Sequence, residues 1–362
     1  MKKLIIFPAL VALLTACGVP KVDMYRAGPS LVGVYHSQGV NQLKNLNWKY
    51  NSKKSIKTSP TISEKSIYFG NSSGYLYALD LETGREKWRF KTGGKISGAP
   101  AISEKVAYVG SHDGRFYAVN TETGQEVWKA RVSGAVTTSP ALVNGMLYFG
   151  TVKGNLYAYD AASGREQWRF EAGDAIYSSP AVFEDMVFFG SENGRLYALT
   201  AKGGAERWSF KAKGAIHGSP AITADTVYFG SHDKALYAVD RKTGQQQWRY
   251  ITEGPIYSSP AVDNGVVYIG SNDGRLYALS TNTHHIRWKF KTKDWVAGAP
   301  AISGDLIYVG SFDKKLYAIR ASSGLKQWDF KTNGAISSAP IIQEGSIYFT
   351  SQDGSIYAGT QN

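Results

Sequence analysis

Four residues break an otherwise regular column pattern and carry side chains able to do chemistry: Tyr177, His217, Tyr257 and Trp295. Tyrosine and tryptophan offer flat faces with a polar tip, and histidine adds a proton that moves near neutral pH. An aromatic, partly charged patch of this kind suits a peptide strand or a flat small molecule. The plainer alternative is that these side chains fill an uneven opening. No second histidine shares the column of His217, and His112 and His232 occupy turn positions in other columns, so no metal site is expected. His284-His285 replaces a turn glycine on the opposite face and reads as solvent-exposed. Asp113, Asp233, Asp273, Asp313 and Asp353 recur at one position of five repeats, in turns such as Asp113-Gly114. Single carboxylates spread in this way bond their local backbone and do not gather into a calcium site. There is no glycine-rich phosphate loop, no nucleophile elbow and no HExxH zinc motif. Accordingly no catalytic residue and no cofactor are expected.

The elements that position these residues follow from one number. Prolines recur every 40 residues from Pro60 to Pro340, and tryptophans keep the same step at Trp48, Trp88, Trp128, Trp168, Trp208, Trp248, Trp288 and Trp328. A fixed period of about 40 residues specifies a solenoid or a propeller. Within one repeat, Pro140-Ala141-Leu142-Val143 is short and apolar, and Asn144-Gly145 makes a hairpin turn. Met146 to Gly150, Leu156 to Asp160 and Glu166 to Phe170 follow as strands separated by Lys153-Gly154 and Ser163-Gly164. Eight such sets can be counted. The strand of Trp48 precedes the first complete set, and the last set stops at Tyr357-Ala358 without a tryptophan strand. A ring explains that complementary incompleteness, because closure hides both sheet ends. The expected fold is therefore all-β, an eight-bladed β-propeller of four-stranded antiparallel blades. Its ring is closed by the N-terminal Trp48 strand pairing with the C-terminal blade. The eight tryptophans are read as structural, each burying a large apolar area at a blade contact. If the first strand of each blade is innermost, the residue three before each proline lies at the channel mouth. That column reads Lys57, Ser97, Thr137, Tyr177, His217, Tyr257, Ala297 and Ser337.

The chain is basic, with a formal net charge of +12, of which Lys2 and Lys3 contribute two. Such a balance favours anionic partners or membrane surfaces. Arg115, Arg195, Arg275 and Lys315 follow the turns of the mouth face and give it a basic rim. Lys2 and Lys3 also precede an apolar run from Leu4 to Leu14, which reads as a secretory signal too short to span a bilayer. Leu14-Thr15-Ala16-Cys17 resembles the bacterial lipoprotein lipobox, which implies cleavage before Cys17 and its acylation, as with palmitate. An ordinary signal with an incidental cysteine is the alternative. Cys17 is the only cysteine, so its thiol has no intrachain disulfide partner. By the same resemblance, the absence of Asp after Cys17 implies the outer membrane, most naturally its periplasmic side. Residues 1–16 are then a signal peptide, 17–42 the lipidated cysteine and tether, and 43–362 the propeller. Part of the stretch from Tyr25 to Tyr35 is expected to pack on the first blade.

Ala78-x-Asp80-x-x-Thr83-Gly84-x-Glu86-x-Trp88 resembles the tryptophan-docking motif of PQQ-like (quinoprotein-type) propellers. It recurs at Ala118 to Trp128, Ala158 to Trp168 and Ala238 to Trp248, with looser copies in other repeats. With the lipobox and a propeller lacking insertions, the chain resembles the BamB family of outer-membrane lipoproteins. That resemblance implies a non-catalytic scaffold assisting insertion of β-barrel proteins through a BamA-like assembly protein, monomeric within a complex and without nucleic-acid partners. It carries over no contact residues, because the family's partner-binding loop is a longer blade connection than any here. A lipoprotein propeller binding another envelope protein or polymer remains open. So does a PQQ-dependent dehydrogenase, for which the resemblance would require a cysteine pair and a calcium cluster.

Overall fold

The computed structural model describes residues 22–361, so the expected signal peptide and the lipidation of Cys17 lie outside the described residues. Eight antiparallel sheets stand around one axis in chain order, each built from three consecutive strands and a tryptophan strand. In blade 3 these are Ala141–Val143, Met146–Gly150, Asn155–Asp160 and Glu166–Glu171. The two middle strands bury both faces against neighbouring blades, and so they read as continuous apolar runs such as Leu147-Tyr148-Phe149. The fourth strand lies outermost and exposes alternate residues. Blade contacts are apolar throughout: Tyr148, Leu156 and Ala158 pack against Val187, Phe189 and Tyr197 of the next blade. A fully buried ring such as Phe149 contributes about 1.5–3 kcal/mol from its burial.

The eighth blade is made from both ends of the propeller. Asn45–Asn51 pairs antiparallel with Ser355–Thr360, with Trp48 opposite Ala358. Each tryptophan strand carries one extra residue just before its tryptophan: Glu166 pairs with Tyr159 and Trp168 with Ala158, so Gln167 bulges. The tryptophan then docks on the following blade. Trp168 Nε1 donates to Ala201 O at 3.0 Å, and its ring lies against Gly204, which has φ of +68°. A Cβ there would come within 2.5 Å of the indole, so glycine is required both for the turn and for the close approach. The same bond recurs from Trp48 to Leu81, Trp128 to Ala161 and Trp288 to Ala321.

Around the axis, the Ser-Pro column forms a belt. The N–H of Ala99 donates to Ser139 Oγ, Ser139 to Ser179, Ser179 to Ser219 and Ser219 to Ser259, and Ala339 donates to Ser59. Each hydroxyl thus links one blade to the next. The turn aspartates are also architectural. Asp273 accepts from its own turn at Arg275 N (2.9 Å), from Tyr277 Oη (2.7 Å) and from Glu253 N of the incoming connection (3.1 Å).

The stretch before the first propeller strand meets the first blade, where Ala27 and Tyr35 line one pocket with Thr61 and Ile62, but it goes further than expected and runs through the central channel. Val22–Asp23 pairs with Ser103 and Ile102 on the inner strand of blade 2. After a turn in which Arg26 and Ala27 take positive φ, Pro29, Ser30, Val32 and Gly33 offer their carbonyls to the N–H groups of Val182, Ile222, Val262 and Ile302. The segment leaves along blade 7, where Val40 O accepts from Trp328 Nε1 at 2.8 Å. The physical reason is that inner strands point backbone donors at the axis, and an unpaired donor away from water is costly. Arg26 is buried in this channel; its guanidinium donates to Pro260 O, and burial lowers its pKa.

Candidate functional site

The residue three before each proline does line the central opening. Lys57, Ser97, Thr137, Tyr177, His217, Tyr257, Ala297 and Ser337 surround a cavity of about 190 Å³, and Tyr25 of the channel segment joins the same lining. The inner strands begin here and run to the far face, where their hairpin turns lie. This end is therefore formed by blade connections and second-to-third turns.

Tyr177, His217 and Tyr257 come from three successive blades and form one arc. The ring of His217 lies 4.7 Å from that of Tyr177 and 5.3 Å from that of Tyr257. Both tyrosines remain open to solvent, 42% and 40% exposed, although a large aromatic surface normally seeks cover. Trp295 does not join them. It stands 48% exposed on the next connection, with its ring 5.7 Å from Phe312.

One member of the arc escapes column reading. His232, in the second-to-third turn of the same blade as His217, packs 4.2 Å from His217 and 3.9 Å from Tyr257. The geometry places a connection residue beside the turn residue 15 positions later. Ser97 meets His112 at 2.8 Å and Gln352 meets Ser337 at 3.1 Å by the same offset. That offset, not the 40-residue step, is the signal that finds His232. Glu192, in the turn of the preceding blade, closes the group by pairing with His217 Nε2. Burial first, and the neighbouring His217 second, push the His232 pKa down to about 4. Its Nε2 is buried and has no hydrogen-bond partner among the described residues. His284 and His285 are exposed, as read, and His284 also stacks on Trp248 with ring centroids 5.1 Å apart, taking the place of the usual turn glycine.

The arrangement can stack a ligand between tyrosines and offer histidine and carboxylate hydrogen bonds beside them. Among the described residues no group of three or more His, Cys, Asp or Glu is placed to hold a metal ion.

Fold and closure together define an eight-bladed PQQ-like propeller. The chain belongs to the family described as beta-alanine-activating enzyme, beta-propeller, whose model matches residues 40–260. Residues 251–362 match the model of the outer membrane protein assembly factor BamB. No curated relative matches the chain in sequence. Among solved structures, BamB from Moraxella catarrhalis is similar with a TM-score of 0.75 at 18% identity, over 87% of this chain and 99% of that one. Quinohemoprotein alcohol dehydrogenase from Comamonas testosteroni gives 0.83 at 15% identity, over 94% and 80%. A computationally designed protein gives 0.78 at 17%, over 86% and 97%. At these identities the likeness is one of fold.

The dehydrogenase neighbour raises the question whether the mouth fits a quinone with its metal. The opening of about 190 Å³ falls below the ~300–1,000 Å³ usual for small-molecule sites. Beneath it, the inner strands are already engaged by the chain's own residues 29–35. With no acidic cluster to hold calcium and no cysteine among residues 22–361, the residues present do not fit that group.

Proposed function

We propose that this protein is a non-catalytic, lipid-anchored scaffold of the bacterial outer membrane, acting as BamB-like factors do, and that it uses the channel mouth as its working face. The single observation behind the reading is the exposed aromatic arc of Tyr177, His217 and Tyr257, set in an opening too shallow and too full for a cofactor. An aromatic cluster left open on an otherwise well-packed ring is a docking feature. The match of residues 251–362 to the model of an outer membrane protein assembly factor supports a role in that process. Cys17 holds the molecule on the membrane through acyl chains, facing the periplasm, and a BamA-like barrel protein is the partner. The activation in the name of the family matched over residues 40–260 belongs to the enzyme whose propeller gives that family its name.

Purification of the tethered protein from its own envelope tests this directly. A barrel-assembly protein should co-purify, and deleting the chain should lower the amounts of outer-membrane barrels. Recovery of unrelated envelope proteins, with barrels unaffected, would replace this reading by that of a general binding propeller.

A further inference from the structure

The mouth face carries its charge unevenly, and the repeat shows where the imbalance arises. Five blades hold an aspartate in the second-to-third turn, but the equivalent position is Ser73 in blade 1, Lys153 in blade 3 and Asn193 in blade 4. The connection into blade 1 adds Lys53, Lys54 and Lys57, and the connection into blade 2 adds Lys95. All four lysines are exposed, and among the described residues none makes an ion pair. Across the ring Arg275 meets Glu253 at 2.6 Å and His217 meets Glu192, and the exposed Lys213, Lys234, Lys293 and Lys314 are interspersed with Asp233, Asp294 and Asp313.

The two acids bordering the basic sector are already committed. Asp113 accepts from Gly93 N at 2.8 Å and Arg115 N at 3.0 Å. Asp353 accepts from Asn333 N at 3.1 Å and Tyr357 Oη at 2.7 Å. Lys57 and Lys95 both depart from their columns, which otherwise hold no charge, and they line one pocket of about 180 Å³ with Ser55, Ser72 and Ser97. Lys57 and Ser97 also border the central opening that contains Tyr177, His217 and Tyr257. Two like charges at one pocket without a counter-ion repel, and a carboxylate seated between them relieves that repulsion.

The shape and the course of the chain decide which anionic partner fits. A concave opening on the ring axis admits a narrow strand and not a flat bilayer. The channel segment starts with Val22 opposite Ser103, at the face away from the mouth. Only residues 18–21 separate Val22 from Cys17, at most roughly 3.3–3.6 Å each. A lipid on Cys17 therefore draws the opposite face toward the membrane. We propose that the basic sector of blades 8, 1 and 2 binds an acidic polypeptide segment, a carboxylate lying between Lys57 and Lys95 and a neighbouring residue against the tyrosine arc. This rests on the mouth being the working face.

A fluorescein-labelled peptide alternating glutamate and serine, titrated into the mature protein and followed by anisotropy, tests the inference. Lys57→Glu with Lys95→Glu is compared with Lys202→Glu and Lys242→Glu, exposed turn residues of the opposite face. Both pairs change the net charge equally, so general electrostatics cancels, and matching melting curves establish that both fold. The mouth pair should weaken binding about tenfold or more and the control pair less than about twofold. Equal loss in both pairs, or no binding by the unaltered protein, overturns the proposal. So does a Lys57- and Lys95-dependent affinity for phosphatidylglycerol vesicles in place of the peptide. If the peptide fails while alanine at Tyr177, His217 and Tyr257 still abolishes partner recovery, only this inference falls and the scaffold reading stands.

Discussion

His232 shows how the mouth tunes individual groups. An imidazole in the unfolded chain titrates near 6.5, whereas burial and the adjacent His217 push this one to about 4 in the fold. Between those values the unfolded chain binds more protons, so stability contributed by the neutral ring is complete above about 6.5 and declines as the pH falls toward 4. An NMR titration should show His232 still neutral midway through that window; a midpoint near 6.5 would contradict its placement. The sequence announced Tyr177, His217 and Tyr257, because three rings stand out in a column whose other five members, Lys57, Ser97, Thr137, Ala297 and Ser337, have none. His232 stayed hidden because its contact with His217 joins positions 15 apart, in two different columns. Trp295 was conspicuous for the same reason as the arc, yet its indole turns to Phe312 instead.

At the scale of elements, the tryptophan strand was almost wholly legible. Its composition, its period and the glycine that follows in the next blade all serve one contact. Trp248, only 7% exposed, is packed against Tyr228 of its own blade and covered by His284 of the next. Trp248→Ala should destabilise the protein by about 3–5 kcal/mol in chemical denaturation, as large aromatic deletions from a core do. A loss under about 1 kcal/mol would mean that the blade contacts are not held in this way. The channel segment was the opposite case. Residues 22–43 have no period, and their partners are the backbone donors of Val182, Ile222, Val262 and Ile302, which leave no mark on side-chain choice. Sequence patterns report side-chain burial, so an extended segment held by its carbonyls reads as a loose tether.

For the whole molecule, the regular step produced the ring, and the few departures from it gather at one end. Blades 4 to 6 supply the aromatic arc, blades 8 to 2 supply a cluster of exposed lysines, and the channel below is filled by the chain itself. The count of eight and the closing partnership of Trp48 with Ala358 were readable because both ends of the sequence are incomplete in complementary ways. The entry of residues 22–23 at the face away from the mouth was not readable, since it rests on backbone pairing with Ser103 and Ile102. The measurement that bears most directly on the scaffold account is partner recovery by a triple variant, Tyr177→Ala, His217→Ala and Tyr257→Ala, in the membrane-tethered protein. The account predicts an unchanged circular dichroism spectrum and a loss of at least about tenfold in the barrel-assembly protein recovered, as expected when central aromatic anchors are removed. Full recovery of that partner by the folded variant would contradict it and leave the arc as filler of an uneven channel.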